Sequence, residues 1–287
     1  MSAPATCPRP LIPPPLDPDF IPLSLARRAH RNAAERGESE PITLALRRGD
    51  GGCFHWNDRM PADSKDGDAL HRIERTFKFL LWQKGASEVF VAGSDTLAEH
   101  LGDLYTGHGA RLFDADMMGS RIYRAPFGIH RCTARDLPPP DETVSRAGGH
   151  FDGCRVGFDL GGSDRKCAAV RGGEVLHTEE VPWDPYFNSD PVYHLEGIRD
   201  SIRRAAEHLP RVDAIGGSAA GIYVANEPRL ASLFRGVRKD DFERTIRPMF
   251  HNLQHEWNDV PFEVINDGDV TALSAASGLG VRPVLGL

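Results

Sequence analysis

The chain has 287 residues, with 34 Lys plus Arg against 41 Asp plus Glu and a formal net charge of −7. That acidity argues against a nucleic-acid binder, which needs a basic footprint. The 40% hydrophobic and 26% charged residues are ordinary for a folded globular protein. The longest apolar runs, such as Phe79–Trp82, are too short to cross a membrane. Five cysteines (Cys7, Cys53, Cys132, Cys154 and Cys167) are odd in number and never at CxxC spacing, which argues against a disulfide scaffold or a compact zinc site. They read as free, mostly buried thiols. No secretory pattern opens the chain, so a cytoplasmic location is expected.

Eight of the 22 prolines fall within Met1–Pro22, and proline fixes φ and removes a donor, so this stretch reads as an extended arm. The basic segment Leu25–Arg36 has good helix formers and reads as a surface helix. Ile42–Leu46 is a short apolar run, followed by a turn at Gly49–Gly52. Leu70, Ile73, Phe77, Leu80 and Leu81 recur at helical spacing, predicting an amphipathic helix over Ala69–Lys84 that stops at Gly85. Glu88–Ala92 reads as a buried strand, Thr96–Tyr105 as a helix and Ala110–Phe113 as a further strand. Leu137–Asp141 is proline-rich and reads as a linker. The organisation expected is thus a Pro-rich arm and linker over 1–65, a small α/β accessory region over 66–145, and a third region over 152–287.

The most informative segment is Arg155–Val170. Val156, Phe158 and Leu160 alternate onto one face, with Asp159 on the other near the strand's end. Gly161-Gly162-Ser163 makes a tight turn, and Lys166–Val170 returns as a second strand. Glycine lacks Cβ, so main-chain N–H groups in such a turn can approach an anion closely, and Ser163 adds a hydroxyl donor. Asp159 can hold a hydrated Mg²⁺, and Lys166 can meet negative charge. A plain β-hairpin with a glycine turn accounts for the same residues. A third strand follows over Val175–Val181, then an apolar helical stripe within Tyr193–Leu209. Val212–Val224 reads as a strand running into a small-residue loop containing Gly217, Ser218 and Gly221. Val260–Leu273 reads as a buried strand ending at Asn266-Asp267, with a helix beginning near Asp269. Asn266 and Asp267 are also the residues of Asx turns and helix caps.

Asp159-Leu-Gly-Gly-Ser163 resembles the first phosphate motif of the sugar-kinase, actin and heat-shock-chaperone ATPase superfamily, and within it the ROK and glucokinase-like sugar kinases. The Val212–Val224 and Val260–Leu273 segments resemble that family's following segments, in the family's order. The resemblance covers roughly Cys154–Leu279. It implies an α/β fold, the ribonuclease H-like first lobe of an actin-like ATPase, behind a Pro-rich arm and a small α/β unit. It implies ATP and Mg²⁺ as cofactors and a sugar as substrate. Asp267 would be the catalytic base. Asp159, Gly161, Gly162, Ser163 and Lys166 would bind the nucleotide phosphate, with Asp159 holding Mg²⁺ through water. Asn266, Ser218 and Gly221 would contact the sugar.

The sequence departs from the family pattern in two places. Asp164-Arg-Lys166 stands where such kinases often carry Thr-Lys. Only twenty residues follow Asp267, and no second glycine-rich phosphate turn is among them, so the family's second lobe is expected to be missing. The expectation is therefore a weakly active or inactive sugar kinase, completed by a homodimer or by a separate second-lobe chain. A non-catalytic sugar-binding or regulatory relative, and another ATPase of the superfamily, are the alternatives. The family's repressors carry a helix-turn-helix, and none is evident in residues 1–150.

Overall fold

A computed structural model describes residues 9–36, 39–61, 67–142 and 152–279. Cys7, the first residues of the arm, the segment 143–151 and the tail from residue 280 lie outside the described residues. The chain divides into two compact units, Met1–Val144 and Ser145–Leu287. Among the described residues no helix is long and apolar enough to cross a membrane.

In the first unit, α1 (Leu23–Arg36) follows the proline-rich segment. β1 (Ser39–Arg47) and β2 (Cys53–Pro61) form an antiparallel hairpin with Arg47 opposite Cys53. Residues 39–61, expected within the arm and linker, are therefore part of the sheet. Their run of buried positions, Ile42 and Leu44–Leu46, is too apolar to leave in water. Asp50 shapes the turn by accepting from the Gly52 N–H at 2.9 Å, and Gly51 takes φ +94°. Next come α2 (Gly67–Lys84), β3 (Glu88–Ala92) and α3 (Asp95–Tyr105), the last capped by the Ser94 hydroxyl, which accepts from the Leu97 N–H. Gly85, at φ +73°, ends α2 as its sequence predicts. α4 (Leu112–Asp116) runs into a π-helical stretch, Met117–Tyr123, and β4 (Gly128–Cys132) closes a four-stranded sheet of order β2-β1-β3-β4.

Ala110–Phe113 is not a strand. Buried Glu74 accepts from Arg111 Nε at 2.7 Å and from the Tyr105 hydroxyl at 3.2 Å, and the Arg111 N–H donates to the Leu104 carbonyl. These bonds hold the segment against the end of α3 and turn it into α4. Four residues of apolar character were too few to specify a period.

The second unit opens with an antiparallel meander: β5 (Cys154–Leu160), β6 (Asp164–Arg171) and β7 (Glu174–Pro182). α5 (Pro191–Ala206), capped by Asp190, crosses to β8 (Ala214–Ala219), which pairs parallel to β5. A small hairpin of β9 (Ile222–Val224) and β10 (Glu227–Leu230) follows. Then come a 3₁₀ turn at Ser232–Phe234, α6 (Lys239–Asp241) continuing as π-helical Phe242–Ile246, and α7 (Met249–Glu256). β11 (Phe262–Asn266) adds parallel to β8, and α8 (Asp267–Leu279) ends the described chain.

The five-stranded sheet has the order β11-β8-β5-β6-β7. A meander, a crossover helix and two parallel strands on the far side of the first strand make the ribonuclease H-like first-lobe fold of the actin-like ATPases. One sheet face buries Val156, Phe158, Leu160, Ile215, Phe262 and Val264 against α5 and α7. The other face carries Asp159, Lys166 and Ser218.

Candidate functional site

Alternation places Asp159 on the face opposite Phe158, as the sequence predicts. Register then aligns a row across the sheet that is polar except at its β11 end. Asp159 lies opposite Ser218 on β8 and Lys166 on β6, Ser218 opposite Ile265 on β11, and Lys166 opposite Glu180 on β7. The next row inward is small, with Gly157 between Gly216 and Ala168. Nothing stands within 4 Å of where a Cβ would be on Gly157 or Gly216. Above these rows is an open groove of about 1410 Å³, lined by Asp159, Lys166, Ser218 and Asp267, with Val270 and Ser274 from α8 on one side.

The groove thus brings together four of the predicted site residues. Ser218 is placed in strand β8, not in a loop, because β8 continues to Ala219. Gly217 faces the opposite way, and a Cβ there would stand 2.3 Å from Phe158 Cζ. Its glycine serves core packing. Gly221 does occupy a turn, at φ +141°. Its carbonyl accepts from Asn266 Nδ2 at 2.8 Å, while Asn266 Oδ1 accepts from the Gly268 N–H at 2.8 Å. Asn266 therefore ties the loop after β8 to the start of α8, and two predicted sugar contacts meet. The helix begins at Asp267 itself, not near Asp269, with the exposed Asp267 carboxylate in its first turn. Tyr223 is held well above its ordinary pKa by burial and by the charge of Asp267.

The glycine turn is braced from behind. Trp183 Nε1 donates to the Gly161 carbonyl at 2.8 Å, and the Trp183 N–H donates to the Ser163 carbonyl at 3.0 Å. The Gly161 N–H donates to the Asp164 carbonyl at 2.9 Å, closing the turn. A Cβ on Gly162 would stand 2.4 Å from the Tyr186 hydroxyl, so this glycine admits Tyr186 whether or not an anion binds.

Lys166 and Ser163 do not point into an empty anion site. Lys166 Nζ donates to Asp164 Oδ1 at 2.7 Å, and Ser163 Oγ donates to Asp164 Oδ2 at 2.8 Å. The Lys166 ammonium and the Ser163 hydroxyl hold the Asp164 carboxyl below the usual carboxylate range, and Asp164 in turn raises Lys166. Sequence reasoning missed Asp164 as a site residue, although its position between Ser163 and Lys166 was the signal. Arg165, the other cation beside the turn, is buried and bonds to Asp200 and Ser201.

These contacts decide how far the expected ligands fit. Asp159, on an open face, suits a cation that keeps most of its water, as Mg²⁺ does. Among the described residues there is no group of three or more His, Cys, Asp or Glu side chains placed to hold a metal ion. The side-chain donors expected for an ATP phosphate are already taken by Asp164, and that part of the fit fails as the turn stands.

No family model matches the sequence, and no curated protein matches it. Solved structures do. A ROK hexokinase from Thermus thermophilus is similar at 23% identity, over 45% of this chain and 38% of that one, with a TM-score of 0.32. A glucokinase from Parabacteroides distasonis is similar at 18% identity, over 44% and 34%, with a TM-score of 0.35. The ethanolamine utilization protein EutJ from Carboxydothermus hydrogenoformans is similar at 14% identity, over 51% and 42%, with a TM-score of 0.27. The chain spans less than half the length of each.

Proposed function

We propose that the second unit is one wall of a ROK-like sugar kinase active site, binding a sugar and the phosphate of ATP. Asp267 accepts the proton of the attacking sugar hydroxyl. Asp159 would hold Mg²⁺, and the main-chain N–H groups of Gly162 and Ser163 would face the phosphate, beside the Gly161 N–H that closes the turn on the Asp164 carbonyl. Asn266, Ser218 and Gly221 form the sugar side. The observation that carries this reading is the shared groove, in which Asp159, Ser218 and Asp267 stand at the carboxyl ends of three neighbouring parallel strands. That is where ligands bind in open α/β sheets. A carboxylate there can orient a weak nucleophile and take its proton late.

Transition-state charge on a transferred phosphoryl group needs stabilisation from both sides, with water excluded. These residues supply one side. The residues of this wall by themselves are therefore expected to bind sugar yet turn over slowly or not at all. Thermal shifts with a panel of hexoses and N-acetylhexosamines, beside a coupled ADP-release assay, test the reading. Sugar-dependent stabilisation lost in Asn266→Ala supports it, and no shift with any sugar overturns it. Robust turnover by the chain alone would overturn the claim that one wall is insufficient. A non-catalytic sugar-binding role is favoured by one observation, the engagement of Ser163 and Lys166 by Asp164. Its outcome in the same experiment is sugar binding with no turnover even when a second lobe is supplied.

A further inference from the structure

The glycine turn carries a carboxylate of its own. Each oxygen of Asp164 accepts one of the turn's two side-chain donors, Lys166 Nζ at 2.7 Å and Ser163 Oγ at 2.8 Å. This two-oxygen arrangement resembles the one a phosphate would make with the same pair. Asp164 is held in place by its backbone, which accepts from the Gly161 N–H and lies opposite Pro182 at the start of β6. Its side chain is 20% exposed and that of Lys166 50% exposed, so the pair stands at the surface where solvent and ligand can reach it. The charges of Glu180 and Asp159 also act on Lys166. An incoming anion thus meets an ammonium already paired with Asp164 and standing in register between Asp159 and Glu180. The neighbouring cation, Arg165, does not replace it, since Arg165 is committed to Asp200 and Ser201.

We propose that Asp164 is a resident anion in the turn, filling the Ser163 and Lys166 donors in place of a phosphate and setting how tightly a phosphate binds. The inference rests on the reading of Gly161–Ser163 as a phosphate turn and deepens it: a phosphorylated ligand binds by displacing Asp164 from Lys166. Buried and turn-forming acidic residues ordinarily satisfy local N–H groups. Asp164 instead spends both oxygens on the two side chains that the turn would present to a ligand.

The experiment is calorimetric titration of the full chain with inorganic phosphate and with pyrophosphate. Wild type is compared with Asp164→Asn, Asp164→Ser and the double variant Asp164→Asn/Lys166→Met. Both single variants keep the Asp164 backbone contact, and the smaller serine serves if the asparagine variant does not fold. Removal of the resident charge is expected to tighten phosphate binding at least tenfold, and Lys166→Met is expected to abolish that gain. Equal dissociation constants for wild type and the single variants would overturn the proposal while leaving the phosphate turn intact. A gain that survives Lys166→Met would also overturn it, because the freed ammonium would not be its source. Absence of binding in all four proteins would overturn both the proposal and the turn reading beneath it.

Discussion

At the scale of single residues, several side chains that look functional are fixed first by packing. Gly217 sits in a strand because Phe158 and Val264 fill the space a side chain would need, at 2.3 and 2.9 Å from a Cβ. Gly217→Ala should cost about 1–3 kcal/mol by overpacking. Denaturant unfolding should recover part of that loss in the pair with Phe158→Leu. Arg199 illustrates a surface pair with a readable pH dependence. It bonds Glu256 through Nε at 2.8 Å, and that contact holds the Glu256 carboxyl below its ordinary value of 4.5. A depressed carboxylate contributes stability above its unfolded pKa and loses it as pH falls through the lower folded one. The melting temperature of Arg199→Met should therefore lie below wild type at pH 7, and the gap should close on acidification below about pH 4.5. The two pair members are 16% and 40% exposed, so the effect at neutral pH is small.

At the scale of elements, the edge strand β11 is completed by a side chain. Asn226, at φ +58°, donates through Nδ2 to the Phe262 carbonyl at 2.6 Å and accepts from the Val264 N–H at 2.9 Å. Its carboxamide stands in for a neighbouring strand, matching one donor and one acceptor. Asn226→Ala leaves both main-chain groups without that partner and should cost about 1–3 kcal/mol. Hydrogen exchange should show Val264 losing protection before the central strand β5. The β5–β6–β7 meander and helices α2, α3 and α5 were legible in the sequence, because each carries a full run of its own period. The β9–β10 hairpin was not. It is short, all of its residues but Pro228 are only half-buried, and it sits where small residues suggested a loop. Ala110–Phe113 misled for the opposite reason, since a buried Glu74–Arg111 pair distant in sequence overrides its local character.

At the scale of the molecule, each unit carries a core of its own. The cluster around Phe158, Ile198, Ile202, Phe250 and Val264 draws every member from residues 156–264. The first unit buries Leu44, Phe77, Leu81, Val91 and Leu101. Residues 145–287 expressed alone should accordingly unfold in one cooperative transition by circular dichroism and calorimetry. A broad, non-cooperative melt would show that the second unit depends on the first.

The sequence by itself determined the alternation that puts Asp159 opposite the core, the glycine turn after it, and the helical stripes that cover one sheet face. These follow from local period and from glycine chemistry, which act over a few residues. Only the tertiary structure decided that Ser218 aligns with Asp159, that Asn266 bonds the Gly221 carbonyl, and that Ser163 and Lys166 are held by Asp164. Register between distant strands and the choice among competing hydrogen-bond partners depend on groups brought together by folding.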